Sequence, residues 1–317
     1  MINIDRAKIK IEKYLINNLI DTVFENDQIF LLNNEHNINV VNYRSGNVFS
    51  IKLSNVKHKA SCITIDSSNI YVGYVNGTVE VLDKNNSYES IKITSPDDAG
   101  GPGNPHVLDI LSTQTYLLVN TKENGLLIYL QPSILFYKWI MIELETSIIS
   151  FSYDHQQLFV LVKDGSLHKL DFIAQRIDEI PIGGFSFIDL EYHNNYLFLA
   201  SKHSLYIYEV KNGYTLVFTF REKLSEILKI TTNGNYLFLL LKQGKLRVIE
   251  FNNFTQETNF NVFELIVIDK KFPIFEKMNY SKINFQNNDI GNLEKIEFFY
   301  LKENILRKAI IRFEDGY

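Results

Sequence analysis

The chain has 317 residues, 45% of them hydrophobic and 22% charged, with a formal net charge of −5. This is ordinary globular usage, which provides enough apolar surface for a sizeable core and excludes global disorder. No long basic block appears, so the electrostatic footprint of a nucleic-acid binder is missing. The longest apolar runs, such as Tyr236–Leu241, are far shorter than a membrane span. Cys62 is the sole cysteine, so an intramolecular disulfide is impossible and a cysteine metal site is disfavoured. That usage suits a reducing compartment, cytoplasm or nucleus. With 23 Phe and 18 Tyr against six Ala, the composition leans to β structure.

In chain order, the N-terminal MINIDRAKIKIEKYLINN scatters charges among its apolar positions. It reads as neither a signal nor a transit peptide. Within it, Ala7–Tyr14 alternates Ile9 and Ile11 with Lys8, Lys10 and Glu12, which is a strand signature. From about Asn18 a unit recurs, clearest at Ala60–Asp83 (ASCITIDSSNIYVGYVNGTVEVLD). An inner strand, such as Cys62–Ile65, Val107–Leu111, Ile148–Ser152, Ile188–Tyr192 or Ile227–Thr231, leads into a short apolar run. These runs begin at Ile29, Ile70, Tyr116, Leu158, Leu197 and Leu237, spaced 41, 46, 42, 39 and 40 residues apart.

Each run ends at a tight turn: His36-Asn37, Asn76-Gly77, Asn124-Gly125, Asp164-Gly165, His203-Ser204 or Gln243-Gly244. Asn-Gly and Asp-Gly supply the positive φ angles of two-residue hairpins. A third strand follows, as at Thr78–Asp83 and Ser166–Phe172. An outer strand closes the unit, as at Asn47–Leu53, Tyr88–Ile93, Ile134–Ile142 and Tyr214–Phe220. A near-constant spacing of roughly 40–45 residues is that of four-stranded propeller blades.

Six such units are expected between about Asn18 and Ile268. Strands at Lys282–Gln286, Leu293–Leu301 and Ile305–Phe313, joined by the early strand at Ala7–Tyr14, make a seventh sheet. Such a closure hydrogen-bonds the two chain ends together and hides edges. The alternative is six blades plus a tail. The Pro/Gly-rich loop Thr94–His106 and the long joint Asp269–Asn292 break the regularity. Nothing reads as a linker between domains, so one propeller domain is expected over residues 1–317.

NGTVEVLD at Asn76–Asp83 and DGSLHKLD at Asp164–Asp171 resemble the third-strand ending of the WD40 repeat. In that family an Asp/Asn-Gly turn precedes β-branched residues and a terminal Trp-Asp. Here Leu82 and Leu170 stand in place of the Trp, while Asp83 and Asp171 keep the Asp. The family's Gly-His pair is not recognisable. The resemblance implies an all-β, seven-bladed WD40-like propeller with the last blade closed by the N-terminal strand. It also implies non-catalytic work, a rigid disc whose faces and rim bind other proteins.

Acids fall on expected inner strands: Asp21, Asp109, Asp189 and Glu191. In a propeller these line the channel, where they either bond backbone amides between blades or gather as a metal or acid–base site. HExxH, GxSxG and a phosphate loop are all absent. The seven histidines fall mostly in or beside turns, and Arg44, Arg176 and Arg247 come from different units. The outer strand Ile134–Ile142 (ILFYKWIMI) is apolar on both faces apart from Lys138, which suggests a covered surface. Phe136, Tyr137 and Trp139 are its candidate partner-binding residues, and Phe272 and Phe275 form a second candidate.

The expected function is that of a scaffold or adaptor subunit of an intracellular complex, with other protein subunits as partners. No enzyme activity, cofactor, metal, nucleic acid or membrane insertion is expected. The alternatives are a propeller hydrolase or lactonase using channel carboxylates and a divalent metal, and a reader of modified peptides.

Overall fold

The computed structural model describes residues 8–15, 19–42, 44–94, 105–113, 115–122, 125–131, 135–140, 148–154, 157–171, 176–182, 186–211, 213–221, 225–233, 236–242, 245–250, 261–265, 295–302 and 305–312. After β1 (Lys8–Leu15), blade 1 is built from β2 (Leu19–Glu25), β3 (Gln28–Asn33), β4 (Asn37–Asn42) and β5 (Val48–Lys52). Blade 2 holds β6 (Ala60–Ile65), β7 (Asn69–Tyr74), β8 (Val79–Asp83) and β9 (Glu89–Thr94). Blade 3 holds β10 (Val107–Ser112), β11 (Tyr116–Thr121), β12 (Gly125–Leu130) and β13 (Leu135–Ile140). Blade 4 holds β14 (Ile148–Asp154), β15 (Gln157–Val162), β16 (Leu167–Asp171) and β17 (Arg176–Ile180). Blade 5 holds β18 (Phe187–His193), β19 (Tyr196–Ser201), β20 (Ser204–Glu209) and β21 (Thr215–Arg221). Blade 6 holds β22 (Ile227–Asn233), β23 (Tyr236–Leu241), β24 (Lys245–Glu250) and β25 (Asn261–Leu265). Each blade is an antiparallel sheet whose strands lie in chain order.

The second strand of each blade explains the recurring apolar run. β3, β7, β11 and β15 share one burial pattern, five buried residues after a half-buried first. A strand covered on both faces reads as a continuous apolar run rather than an alternation. The covers are the neighbouring blades. Phe30, Leu32 and Val40 of blade 1 pack with Ile63, Ile70 and Val72 of blade 2. Equivalent clusters join blades 2 and 3, 3 and 4, 4 and 5, and 5 and 6.

The hairpin turns behave as their chemistry requires. Gly77 and Gly165 sit at φ 83° and 92°, and His36 itself takes φ 58° where blade 1 lacks a glycine. Gly73 serves a different need, close approach. A Cβ there would meet Val107 Cγ1 at 2.5 Å and Cys62 Sγ at 2.7 Å.

One irregularity recurs in all six blades. Between the first and third residues of each inner strand the pairing slips by one. This is a β-bulge, which inserts one extra residue and bends the strand. The extra residues are Ile20, Ser61, Leu108, Ile149, Ile188 and Leu228. The next positions are Asp21, Cys62, Asp109, Ser150, Asp189 and Lys229.

The chain ends meet in a further sheet. β1 pairs with β27 (Ile305–Arg312) over eight residues, and β27 pairs with β26 (Lys295–Lys302). The expected union of the N-terminal strand with late strands is therefore observed, with three strands among the described residues. The fourth strand expected at Lys282–Gln286 lies outside the described residues.

Candidate functional site

An inner strand pairs on one side only, so its other edge carries amides that need partners. The acids and serines after the bulges supply them. Asp21 Oδ2 accepts from the Ile63 amide of blade 2 at 2.9 Å, while Oδ1 takes the Thr22 amide at 2.7 Å. Asp189 Oδ2 accepts from the Ile230 amide of blade 6 at 2.8 Å, and its Oδ1 accepts from Ser150 Oγ of blade 4 at 2.7 Å. The Tyr192 amide donates to Ser152 Oγ at 2.9 Å. Asp109, like Asp21, receives the amide of its own neighbour, Ile110, at 2.8 Å. Between-blade bonding thus accounts for Asp21 and Asp189.

Glu191 lies two residues along from Asp189 and so on the same face of β18. Thr232 Oγ1 of blade 6 donates to it at 3.1 Å. Burial and then the Asp189 charge push its carboxyl up to about 7, against the opposing pull of Thr232 and Lys229. In blade 2 the position after the bulge is held by Cys62, which is buried. Burial first, then Asp109 and Asp21, raise its thiol well above the ordinary range, which suits a packing role. No group of three or more His, Cys, Asp or Glu that could hold a metal occurs among the described residues.

Two further polar clusters tie loops to blades. The fully buried Glu80 accepts the Ser54 amide at 2.8 Å, the Asn55 amide at 3.3 Å and the hydroxyl of Tyr74. At the other end of blade 2, Asp66 receives Tyr71 Oη at 2.6 Å and Ser112 Oγ of blade 3 at 2.9 Å. Burial opposes the Asp66 charge, but its donors outweigh burial and hold its carboxyl below the usual range. Arg44 is engaged locally with Asp27 at 2.9 Å, and Arg247 lies over the Phe220 ring at 5.7 Å.

β13 is confirmed as the outer strand of blade 3, with Trp139 opposite Leu127 and Phe136 opposite Tyr129. The register slips between these pairs, which makes Tyr137 the bulged residue. Side-chain surroundings of Phe136, Tyr137 and Trp139, and Phe272 and Phe275 altogether, lie outside the described residues. So does most of the Thr94–His106 loop.

The structure exposes apolar residues that pattern reading passed over. On outer strands these are Val48, Phe49, Ile91, Leu216 and Val217. At the end of the molecule where inner strands begin they are Val56, Val75, Leu108, Ile149 and Ile188. The available signal was an unbroken apolar pair at the inner-strand starts of blades 3, 4 and 5: Val107-Leu108, Ile148-Ile149, Phe187-Ile188. A strand with one wet face does not place two such residues together unless a bulge intervenes.

Known structures share this architecture. The coronin WD40 domain from Toxoplasma gondii superposes with TM-score 0.72 at 10% identity, over 100% of this chain and 88% of that one. A chain of the mitotic checkpoint complex gives TM-score 0.68 at 12% identity, over 99% and 94%. The fold is a WD40-like β-propeller. Virginiamycin B lyase from Staphylococcus aureus also shares the fold, with TM-score 0.67 at 13% identity over 95% and 99%. No protein-family profile matches the chain. No curated protein matches it in sequence. At these identities the WD40-like propeller shares architecture with its neighbours and does not inherit their activities.

Proposed function

We propose that this WD40-like propeller is a non-enzymatic interaction scaffold, a subunit of an intracellular multiprotein assembly. The observation that carries this reading is where chemistry and exposure fall. Asp21 and Asp189 are engaged in bonding blades together, while large apolar side chains stand exposed on outer strands and at one end. Exposed apolar groups that cluster mark contact surfaces. One fold neighbour is a chain of the mitotic checkpoint complex. The lone buried cysteine agrees with a cytoplasmic or nuclear setting.

A second reading is channel chemistry. It is favoured by the fold neighbour named as a lyase and by Glu191, whose carboxyl stands near neutrality beside Asp189.

Native size-exclusion chromatography of the tagged chain from its own cells separates the two. The scaffold reading expects elution with other subunits at fixed stoichiometry. Combined change of Phe136, Tyr137, Trp139, Phe272 and Phe275 to Ser is expected to dissociate them without altering the melting curve. Elution of the wild-type chain alone overturns the scaffold reading.

A further inference from the structure

Blades 3 and 4 meet differently from the other described neighbours. Along the seams 1–2, 2–3, 4–5 and 5–6 the inner strands run side by side: β2 with β6, β6 with β10, β14 with β18 and β18 with β22. β10 and β14 make no comparable approach. These two blades are held instead by apolar packing farther from the channel, where Leu118 and Ile128 meet Leu158 and Val160. The cause lies in the side chains that face across the seam. Two residues beyond Asp109 stands Leu111, where the other blades carry Val23, Thr64, Ser152, Glu191 and Thr231. Leu111 of blade 3 and Phe151 and Tyr153 of blade 4 all pack, only partly buried, against the cluster between these blades. Three large side chains hold apart strands that a small residue such as Ser152 allows to close. Two exposures record the gap. Phe151 is half-buried, while Ile63, Ile110, Leu190 and Ile230 at the same position are buried. Asp109 is exposed, while its equivalents Asp21 and Asp189 are buried.

Asn120 lies behind this gap, on the second strand. It pairs with Asp109, so the two share the sheet face turned to blade 4, with Cβ atoms about 5 Å apart. In the other five described blades this position holds Leu32, Gly73, Leu161, Ala200 and Leu240. Blade 3 thus places a polar side chain where its relatives in the repeat place none. Asn120 is 4% exposed. Its Nδ2 donates to the Ile148 carbonyl of blade 4 at 3.4 Å, and its Oδ1 is buried and accepts no hydrogen bond among the described residues. A buried acceptor in that state is costly and calls for a donor. The sequence on either side of the gap is acidic. Segments 95–106, 122–124 and 141–147 adjoin β10, β11 and β14 in the chain. They contain Asp97, Asp98, Glu123, Glu143 and Glu145 against Lys122 and His106.

We infer that the cleft between blades 3 and 4 binds a small cationic amphiphile, a protonated amine carried on an apolar or aromatic body. The ammonium enters from the channel and donates to the Asp109 carboxylate and to Asn120 Oδ1. The body lies against Leu111, Phe151 and Tyr153. Both polar groups that meet the ligand are acceptors, because the Asn120 amide nitrogen is engaged with Ile148 and an ionised carboxylate has no proton to give. The pair therefore selects an ammonium and rejects a carboxylate of the same size. Apolar and aromatic walls with a few oriented polar groups are the usual make-up of a small-molecule site. This inference adds a ligand to the propeller and is independent of the scaffold reading.

The test is isothermal titration of the whole chain with benzylamine, phenethylamine and tryptamine. Hydrocinnamate, which carries the phenethyl group on a carboxylate, and ethylamine, which lacks the ring, are titrated beside them. At least one aromatic amine is expected to bind saturably, at a single site and at least tenfold more tightly than ethylamine, and hydrocinnamate is expected not to bind. Asp109→Asn keeps the shape and removes the charge. Asn120→Leu installs the residue type that blades 1, 4 and 6 have at this position. Each should weaken the amine at least tenfold, with Ile91→Ser on an outer strand as the silent control. Circular dichroism melts confirm that each variant is folded, and Asn120→Ala replaces an Asn120→Leu chain that is not. Failure of all three aromatic amines to bind, equal binding of hydrocinnamate, or binding unchanged in either the Asp109 or the Asn120 variant overturns the proposal. Co-elution of the native assembly is measured without added amine, so the scaffold reading stands or falls separately.

Discussion

Glu191 shows how a single residue takes its properties from a neighbouring blade. Its free carboxyl would titrate near 4.5, and folding raises this to about 7 through burial and the nearby Asp189. The native state therefore binds the proton more tightly than the unfolded chain. Its stabilising contribution is complete below about pH 4.5 and is lost as pH rises through 7. Glu191→Gln should flatten that part of the pH profile. It should also make the chain more stable than wild type above pH 7, by on the order of 2 kcal/mol. Urea midpoints measured between pH 4 and 8 check this, and parallel wild-type and variant profiles refute it. The sequence places Glu191 on an inner strand two residues from Asp189, so their shared face is legible. The Thr232 contact is not, because 41 residues separate the partners and only blade packing brings them together.

At the scale of elements, the N-terminal strand carries the clearest consequence. β1 covers the whole of β27 through eight paired residues. Without it β27 presents a row of unpaired amides and carbonyls, a template for association between chains. Deletion of residues 1–15 is expected to lower the melting temperature and produce concentration-dependent aggregation, read by calorimetry and light scattering. A truncated chain that melts like the intact one, monomeric throughout, contradicts this role. The alternation of Ile9 and Ile11 with Lys8, Lys10 and Glu12 marked this strand in advance, and its partner came from the need to hide an edge. The inner-strand bulges were less visible. A bulge is a slip between two strands, so it leaves a doubled apolar pair such as Ile148-Ile149 but no turn residue to announce it.

At the scale of the whole molecule, the blades act as separate sheets held by local seams. Asp21 serves the seam between blades 1 and 2, and Asp189 serves those on either side of blade 5. Replacing either with Ala strands an edge amide and should cost about 1.5–3 kcal/mol. The two sites lie in blades 1 and 5 and their hydrogen bonds named above go to different residues, so the double variant should lose the sum to within roughly 0.5 kcal/mol. Urea unfolding measures all three, and a clear departure from additivity means that strain passes through the intervening blades.

The sequence by itself determined the repeat, the strand order within each blade and the joining of the chain ends. Those features follow from spacing, from the two-sided burial of β3, β7, β11 and β15, and from turns such as Asn76-Gly77. These are local properties of the chain. Tertiary structure alone decided the fate of the acids and the position of the exposed apolar residues. A carboxylate's role depends on whether an amide such as Ile63 or Ile230 lies opposite it, in a blade some 41 or 42 residues away. In the same way, Leu108, Ile149 and Ile188 share one end of the disc only because three bulged strands begin there.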